Sequence, residues 1–224
     1  MFLGGGVGCV TVSQADLRRG AKVRIARVAA LVLMVACAAA AAAAQGRQMA
    51  DEFVDKLVAA AGEQTLRPVS YDGSYRRIAY PGGDVPADIG VCTDVVVRAY
   101  RKVGTDLQVM VHEDMGRAFR SYPQLWGLPA PDPNIDHRRV PNLQTYFRRA
   151  GAAVAVTQKA EDYRAGDLVT WMLPGNLPHI GLVTKDRSSS SGSPLVVHNI
   201  GRGPEVEDML FAYPITGHYR YRAQ

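Results

Sequence analysis

The hydrophobic pattern of the chain changes from helical to strand-like near Gly166. Upstream, apolar residues recur every third or fourth position, as in Met49–Ala61, which predicts amphipathic helices. Downstream, short apolar runs between turn residues predict four strands: 167–173, 179–185, 195–199 and 217–221. Helices followed by strands favour an α+β fold in which N-terminal helices pack on an antiparallel β-sheet.

Residues 1–44 carry the pattern of an export signal. Five of the 26 basic residues precede the 17-residue apolar run from Val28 to Ala44, and Ala42-Ala43-Ala44 offers a small-residue cleavage site. We therefore expect a signal peptide at 1–44 and a single domain at 45–224, periplasmic or secreted. Three alternatives stay open: a lipoprotein modified at Cys37, an uncleaved membrane anchor, and a start codon placed too far upstream.

The expected mature domain is almost neutral. Removing residues 1–44 leaves 21 basic residues against 20 acidic ones, whereas nucleic-acid binding needs a concentrated basic face. We expect no nucleic-acid partner, and we place Arg138-Arg139 and Arg148-Arg149 on a solvated surface. No glycine-rich nucleotide motif is present, so no organic cofactor is predicted.

Cys92 is the one cysteine that remains after the signal, and it stands where a helix is predicted to begin. A helix start supplies free backbone N–H groups and a positive dipole end, which favour a thiolate. Cys92 is thus the leading candidate for a catalytic nucleophile. The alternatives are a small buried hydrophobe or an intermolecular link.

Two histidines are predicted to lie next to each other in the sheet. His179 begins one strand and His198 ends the next, and a hairpin closed by the serine-rich tip at 188–193 brings those two ends together. In this arrangement His179 acts as the general base for Cys92 and His198 orients its imidazole. Asn199 is the reserve for the orienting role.

Other side chains have candidate supporting roles. The backbone N–H of Cys92, with a hydroxyl from Tyr71 or Tyr80, is a candidate oxyanion donor set. Asp94 either braces the loop ahead of Cys92 or complements the helix dipole. The candidate substrate contacts are Trp171, Asn176 and His137. For Trp171 a place in the core is the alternative.

A metal site is the second chemical interpretation. Six side chains have the ligand types that suit zinc: His112, Asp114, Asp136, His137, His179 and His198. Their spacing matches no compact ligand motif, so no metal is predicted.

Three strings that follow the cysteine helix carry a resemblance to a known group of proteins. Gly166-Asp167-Leu168-Val169, Pro178-His179-Ile180-Gly181-Leu182-Val183 and Val196-Val197-His198 stand in the order seen in NlpC-type papain-like peptidases, which are bacterial cell-wall hydrolases. The resemblance implies a papain-like fold with Cys92, His179 and His198 as its catalytic set. The common Asp-Cys-Ser-Gly of that group is here Val91-Cys92-Thr93-Asp94, and the loop before Pro141 is additional.

Longer strings resemble a bacterial family known as domain of unknown function 1287 over roughly residues 50–221. They are Tyr80-Pro81-Gly82-Gly83-Asp84-Val85-Pro86, Val91-Cys92-Thr93-Asp94 and Asn134-Ile135-Asp136-His137-Arg138-Arg139-Val140-Pro141-Asn142. With the wider resemblance, the expected function is an exported cysteine hydrolase that cleaves an amide bond in peptidoglycan stem peptides through a Cys92 thioester. The expected partner is peptidoglycan or another cell-envelope peptide, with membrane contact only through the signal or a lipid anchor. The alternatives are a non-catalytic cell-envelope binding module and a zinc-dependent hydrolase.

Overall fold

The computed structural model describes residues 14–223, with side chains from residue 38 onward. Residues 1–13 of the predicted signal segment, and the side chains of residues 1–37 including Cys37, therefore lie outside the described residues. Among the helices that are described, none combines the length and apolar character needed to cross a membrane. The chain divides into two compact units, one ending at Ala50 and the other beginning at Asp51.

Helix α1 spans Gln14–Gly62, and its end from Asp51 onward belongs to the second unit. Two short parallel strands follow, β1 (Ser70–Tyr71) and β2 (Ile89–Gly90). The remaining helices are α2 (Cys92–Lys102), α3 (Leu107–Ala118) and α4 (Val140–Arg149).

The helix boundaries have the causes that the sequence indicated. Gly104 and Gly151 adopt φ of +84° and +71° just past α2 and α4, a conformation that favours glycine and ends a helix. Asp106 caps α3, since its Oδ1 accepts the N–H of Gln108 at 3.0 Å. Pro141 stands in the first turn of α4, where its missing N–H costs nothing. These local features set where α2, α3 and α4 begin or end.

The main sheet has six strands, all antiparallel, in the order β3-β8-β4-β5-β6-β7. They are β3 (Ala153–Val154), β4 (Leu168–Leu173), β5 (Leu177–Arg187), β6 (Pro194–Asn199), β7 (Pro204–Glu207) and β8 (Ile215–Tyr219). The predicted α+β class with an antiparallel sheet is confirmed. Strand β7 was not predicted, because Pro204-Glu205-Val206-Glu207 has only one apolar side chain.

Each face of the sheet has its own core. Ile180 and Leu182 of β5 pack with the helices, beside Val96 and Tyr100 of α2. The alternate residues of the sheet, with Trp171 at their centre, form a second core. The first core holds Cys92 against the sheet, and Trp171 of the second core is the cross-strand partner of His179.

Candidate functional site

Cys92 is the first residue of α2, and its sulfur is almost fully covered, with 4% of the residue exposed. The backbone N–H groups of Ile180, Thr93 and Cys92 itself lie near the sulfur and act to lower its pKa. Burial nevertheless outweighs these donors and raises the thiol pKa to about 11, with a further increase from the carboxylate of Asp94. The expectation of a thiolate favoured by the helix start is therefore wrong for the resting protein, which holds a neutral thiol.

Cys92 lies beside the end of the β5–β6 pairing. The register of β5 with β6 ends at Leu182 and Val197, and the backbone N–H of Ile180 on β5 is near enough to the Cys92 sulfur to favour its thiolate form. Asn199, at the end of β6, donates from Nδ2 to the Gly90 carbonyl at 3.3 Å. Asn199 therefore holds the turn ahead of Cys92 in place. It does not take the reserve role of orienting the imidazole of His179.

The two histidines do come together. The Nε2 atom of His179 lies 3.0 Å from Nδ1 of His198, and the rings stand at 87° to one another. Both residues are buried, at 2% and 0% exposure. Burial, assisted by His198, lowers the pKa of His179 to about 3, so its imidazole is neutral at ordinary pH.

His198 has a second partner that sequence reasoning missed. Its Nε2 lies 2.9 Å from the Oε2 atom of Glu207 on β7. Burial lowers the pKa of His198 while Glu207 opposes that shift. The signal in the sequence is the alternation Glu205-Val206-Glu207, which places two carboxylates on one face of a strand beside the end of β6.

Asp94 braces the approach to Cys92. Its Oδ2 accepts the N–H of Val91 at 2.7 Å, and its two oxygens pair with Nε and Nη2 of Arg138 at 2.8 and 2.9 Å. Arg138 also donates to the carbonyls of Asp72 and Ser74. The expected solvated position of Arg138 is wrong, because this buried pair draws it inside.

Tyr71 and Tyr80 have different surroundings. The hydroxyl of Tyr71 is within hydrogen-bonding reach of the Cys92 thiol, and burial followed by the effect of Cys92 raises its pKa to about 12. Tyr71 is 48% exposed, whereas Cys92 beside it is only 4% exposed. Tyr80 instead packs its ring against His112 of α3, with centroids 4.9 Å apart.

The three candidate substrate contacts are dispersed. Trp171 is fully buried and donates its indole N–H to the Leu210 carbonyl at 2.9 Å. His137 is 3% exposed, and burial lowers its pKa to about 4. Asn176 alone is exposed, in the turn between β4 and β5, with φ of +57°.

Within the described part of the chain, the side chains that cluster as possible metal ligands are not the six that the sequence suggested for zinc; His198 alone is common to both sets. Ligand atoms of His198, Glu205 and Glu207 lie within 4.8 Å of one another. The guanidinium of Arg202 already occupies this cluster, because its Nη2 donates to both carboxylates at 2.7 to 3.1 Å.

The sequence of the chain matches a family model and a bacterial protein. Residues 58–221 match the family model described as "Domain of unknown function (DUF1287)". The chain is 51% identical over 165 residues to a protein of Escherichia coli (strain K12) described as "Uncharacterized protein YijF", covering 74% of this chain and 80% of that protein.

Proposed function

The chain belongs to the DUF1287 family, and from that premise we propose that it is a cysteine hydrolase that cleaves an amide bond. The observation that carries the proposal is the arrangement at the start of β5. The backbone N–H of Ile180 lies near the Cys92 sulfur and favours its thiolate form, and the preceding residue, His179, is hydrogen bonded to His198. A helix-borne cysteine next to a paired histidine is the layout of papain-like peptidases, and we extend the proposal to an NlpC-type fold.

The proposed reaction runs through a thioester. His179 takes the thiol proton while sulfur attacks the amide carbonyl carbon, so that a C–S bond forms and the carbonyl oxygen becomes an oxyanion. The C–N bond then breaks, and the amine leaves with the proton from His179. Water, deprotonated by the same imidazole, attacks the thioester and releases the acid and the free thiol.

The charge state of the site favours proton transfer during attack over a preformed ion pair. Burial raises the pKa of Cys92 to about 11 and lowers that of His179 to about 3, so both groups are neutral near pH 7. A neutral imidazole is a competent base, and it becomes a stronger one when substrate binding and developing charge stabilise the imidazolium. His198 then holds the ring of His179 in place.

Peptidoglycan stem peptides are the substrate class we propose. The support is the resemblance to cell-wall hydrolases carried by the strings around Cys92, His179 and His198, together with the export pattern of residues 1–44. Either an endopeptidase or an amidase activity fits this site, since both break an amide bond by acyl transfer.

The test is mass spectrometry of muropeptides released from purified peptidoglycan. The protein is incubated with sacculi of several cross-link types beside Cys92→Ala and His179→Ala. His112→Ala is the matched control, because it removes a histidine of α3 that packs against Tyr80. We expect new fragments with the unaltered protein and His112→Ala only, and their masses identify the bond that is cut.

Other outcomes overturn the proposal in distinct ways. Equal cleavage by Cys92→Ala rules out the thiol mechanism. No cleavage by any form favours a binding module, a function that the covered and neutral Cys92 thiol also supports. Binding of the same sacculi, measured by co-sedimentation and unchanged in Cys92→Ala, would then establish that second function.

A further inference from the structure

We propose that Glu207 is a positioning residue that sets the tautomers of both histidines. Its carboxylate holds His198, and through it His179, in the one form that leaves Nδ1 of His179 free to accept a proton. The catalytic consequence rests on the proposed function, whereas the tautomers are a property of the resting protein and are measurable without any substrate.

The tautomers follow from which atoms can donate. An ionised carboxylate only accepts hydrogen bonds, so the Nε2 atom of His198, 2.9 Å from Glu207, carries the hydrogen. The Nδ1 atom of a neutral His198 is then bare and accepts. Its partner, Nε2 of His179 at 3.0 Å, must donate. The hydrogen of His179 is thereby fixed on Nε2, and Nδ1 keeps the lone pair that a base needs.

Strand register explains why Glu207 has this role and Glu205 does not. His198 lies directly opposite Glu205 on β7, while Glu207 is the diagonal neighbour on the same face. The imidazole leans along the strand to the diagonal residue, and Glu205 instead pairs with Arg202 at 3.0 and 3.1 Å. Arg202 also donates to the other oxygen of Glu207 at 2.7 Å, a contact that holds this carboxylate facing His198.

Side-chain burial makes the contact influential. His198 has no exposed side-chain surface, whereas Glu207 is about one third exposed. Water therefore does not compete for the histidine end of the contact, and a lost partner leaves a buried N–H unsatisfied. A cation at the same cluster is the alternative, and it would have to displace Arg202 from both carboxylates.

The first test reads the tautomers by NMR. The full chain is labelled with ¹⁵N-histidine, and two-bond ¹H–¹⁵N correlations report which ring nitrogen of each histidine carries hydrogen. We expect protonated Nε2 and bare Nδ1 in both His179 and His198. Glu207→Gln, whose amide can donate as well as accept, should shift or mix these signals. Glu205→Gln is the matched control, since it changes the same strand and the same Arg202 partner without removing a hydrogen-bond partner of His198.

Two further signals complete that experiment. The ring of His218, held by Asp167 at 2.7 Å, should be unchanged in both variants and so reports an intact fold. Dialysis against EDTA should leave the His198 signals in place. A hydrogen on Nδ1 of His198 in the unaltered protein, unchanged tautomers in Glu207→Gln, or a zinc-dependent shift of His198 would each overturn the proposal.

The second test reads the consequence for catalysis. Correct base geometry contributes about 10²- to 10⁴-fold to such reactions, so Glu207→Gln should lower kcat for amide cleavage by about 10²-fold while KM stays near its original value. Glu205→Gln should stay within about twofold. If the tautomers respond as expected but no form cleaves peptidoglycan, the proposed function fails and the positioning role stands. If Glu207→Gln cleaves at the original rate, the positioning role fails and the proposed function stands.

Discussion

Arg138 and Asp94 form a buried two-point ion pair, with Nε and Nη2 of the guanidinium 2.8 and 2.9 Å from the two carboxylate oxygens. The same Arg138 reaches the carbonyls of Asp72 and Ser74, on the segment that follows Tyr71. One side chain therefore ties the turn before Cys92 to the loop that carries Tyr71.

Breaking this pair should destabilise the protein strongly. In Arg138→Leu the carboxylate of Asp94 stays buried without its cation, which costs about 3–5 kcal/mol of unfolding free energy. Urea unfolding followed by circular dichroism measures the loss. The control is Arg117→Leu, whose side chain is 67% exposed beside Glu113 and should cost less than about 1 kcal/mol. Similar losses in the two variants would contradict the buried role of Arg138.

Gly181 should tolerate no side chain. A Cβ there would lie 2.5 Å from Cγ1 of Val196, 3.0 Å from the Val197 carbonyl oxygen and 3.1 Å from Cβ of His198. Gly181→Ala must push β6 away from β5, and we expect a loss of about 1–3 kcal/mol in unfolding free energy.

The matched control for that change is Gly116→Ala in α3, where a Cβ meets nothing within 4 Å. Alanine is the better helix former, so this variant should gain up to about 1 kcal/mol. In the Gly181→Ala protein, the NMR signals of His198 should also move. Equal unfolding free energies for the two alanine variants would contradict this prediction, because they would show that β6 can shift away from β5 without loss of stability.

Tyr71 should control the reactivity of the Cys92 thiol. Removing the ring in Tyr71→Ala admits water and lets the thiol pKa fall from about 11 toward its ordinary 9.0, which raises the thiolate fraction by about 10- to 100-fold. Iodoacetamide labelling at pH 7.5, read on the Cys92 peptide by mass spectrometry, should accelerate accordingly. Tyr71→Phe should stay close to the original rate if the ring supplies most of the cover.

The control is Tyr75→Ala, a change to a neighbouring exposed tyrosine whose hydroxyl contacts Asn134. It should leave Cys92 labelling unchanged. Equal acceleration in Tyr71→Ala and Tyr75→Ala would point to loosening of the whole loop instead of loss of one ring.

Acid should destabilise the fold through two buried histidines. Burial lowers the pKa of His179 to about 3 and that of His137 to about 4, whereas unfolded histidine has its ordinary value near 6.5. Below pH 6.5 these histidines bind protons in the unfolded chain but not in the folded protein. The unfolding free energy is therefore at its plateau above pH 6.5 and falls as the pH drops toward 4. Each such histidine contributes a slope approaching about 1.4 kcal/mol per pH unit.

Urea unfolding at pH 7, 6, 5 and 4.5 measures that slope. In His137→Asn the slope of unfolding free energy against pH, between pH 6 and 4.5, should decrease by up to about 1.4 kcal/mol per pH unit. This decrease isolates the contribution of His137. A stability profile that is flat from pH 7 to 4.5 would contradict the neutral buried state of both residues.

The sequence predicted the parts of the site that depend on local pattern. Alternation and the serine-rich turn placed His179 beside His198, because a hairpin joins the start of one strand to the end of the next. Cys92 was placed at a helix start by the apolar stripe that follows it. These relationships need only the period of each element and one turn.

The remaining features depend on contacts between distant segments. Arg138 is 44 residues from Asp94, and a charged pair in sequence favours a surface until its buried partner is known. Glu207 was missed because β7 has a single apolar residue between two glutamates. The rise in the Cys92 pKa follows first from burial and then from Asp94, and the burial depends on packing against β5, a segment that the cysteine's own neighbours do not reveal.

The covered thiol of Cys92 also has a consequence for oxidative damage. Oxidants attack the thiolate, and the product ladder begins with sulfenic acid and ends in irreversible sulfonic acid. A buried sulfur held protonated presents little of the vulnerable thiolate to peroxide. We therefore expect peroxide to oxidise Cys92 slowly while the sulfur stays covered, and faster once its cover is displaced.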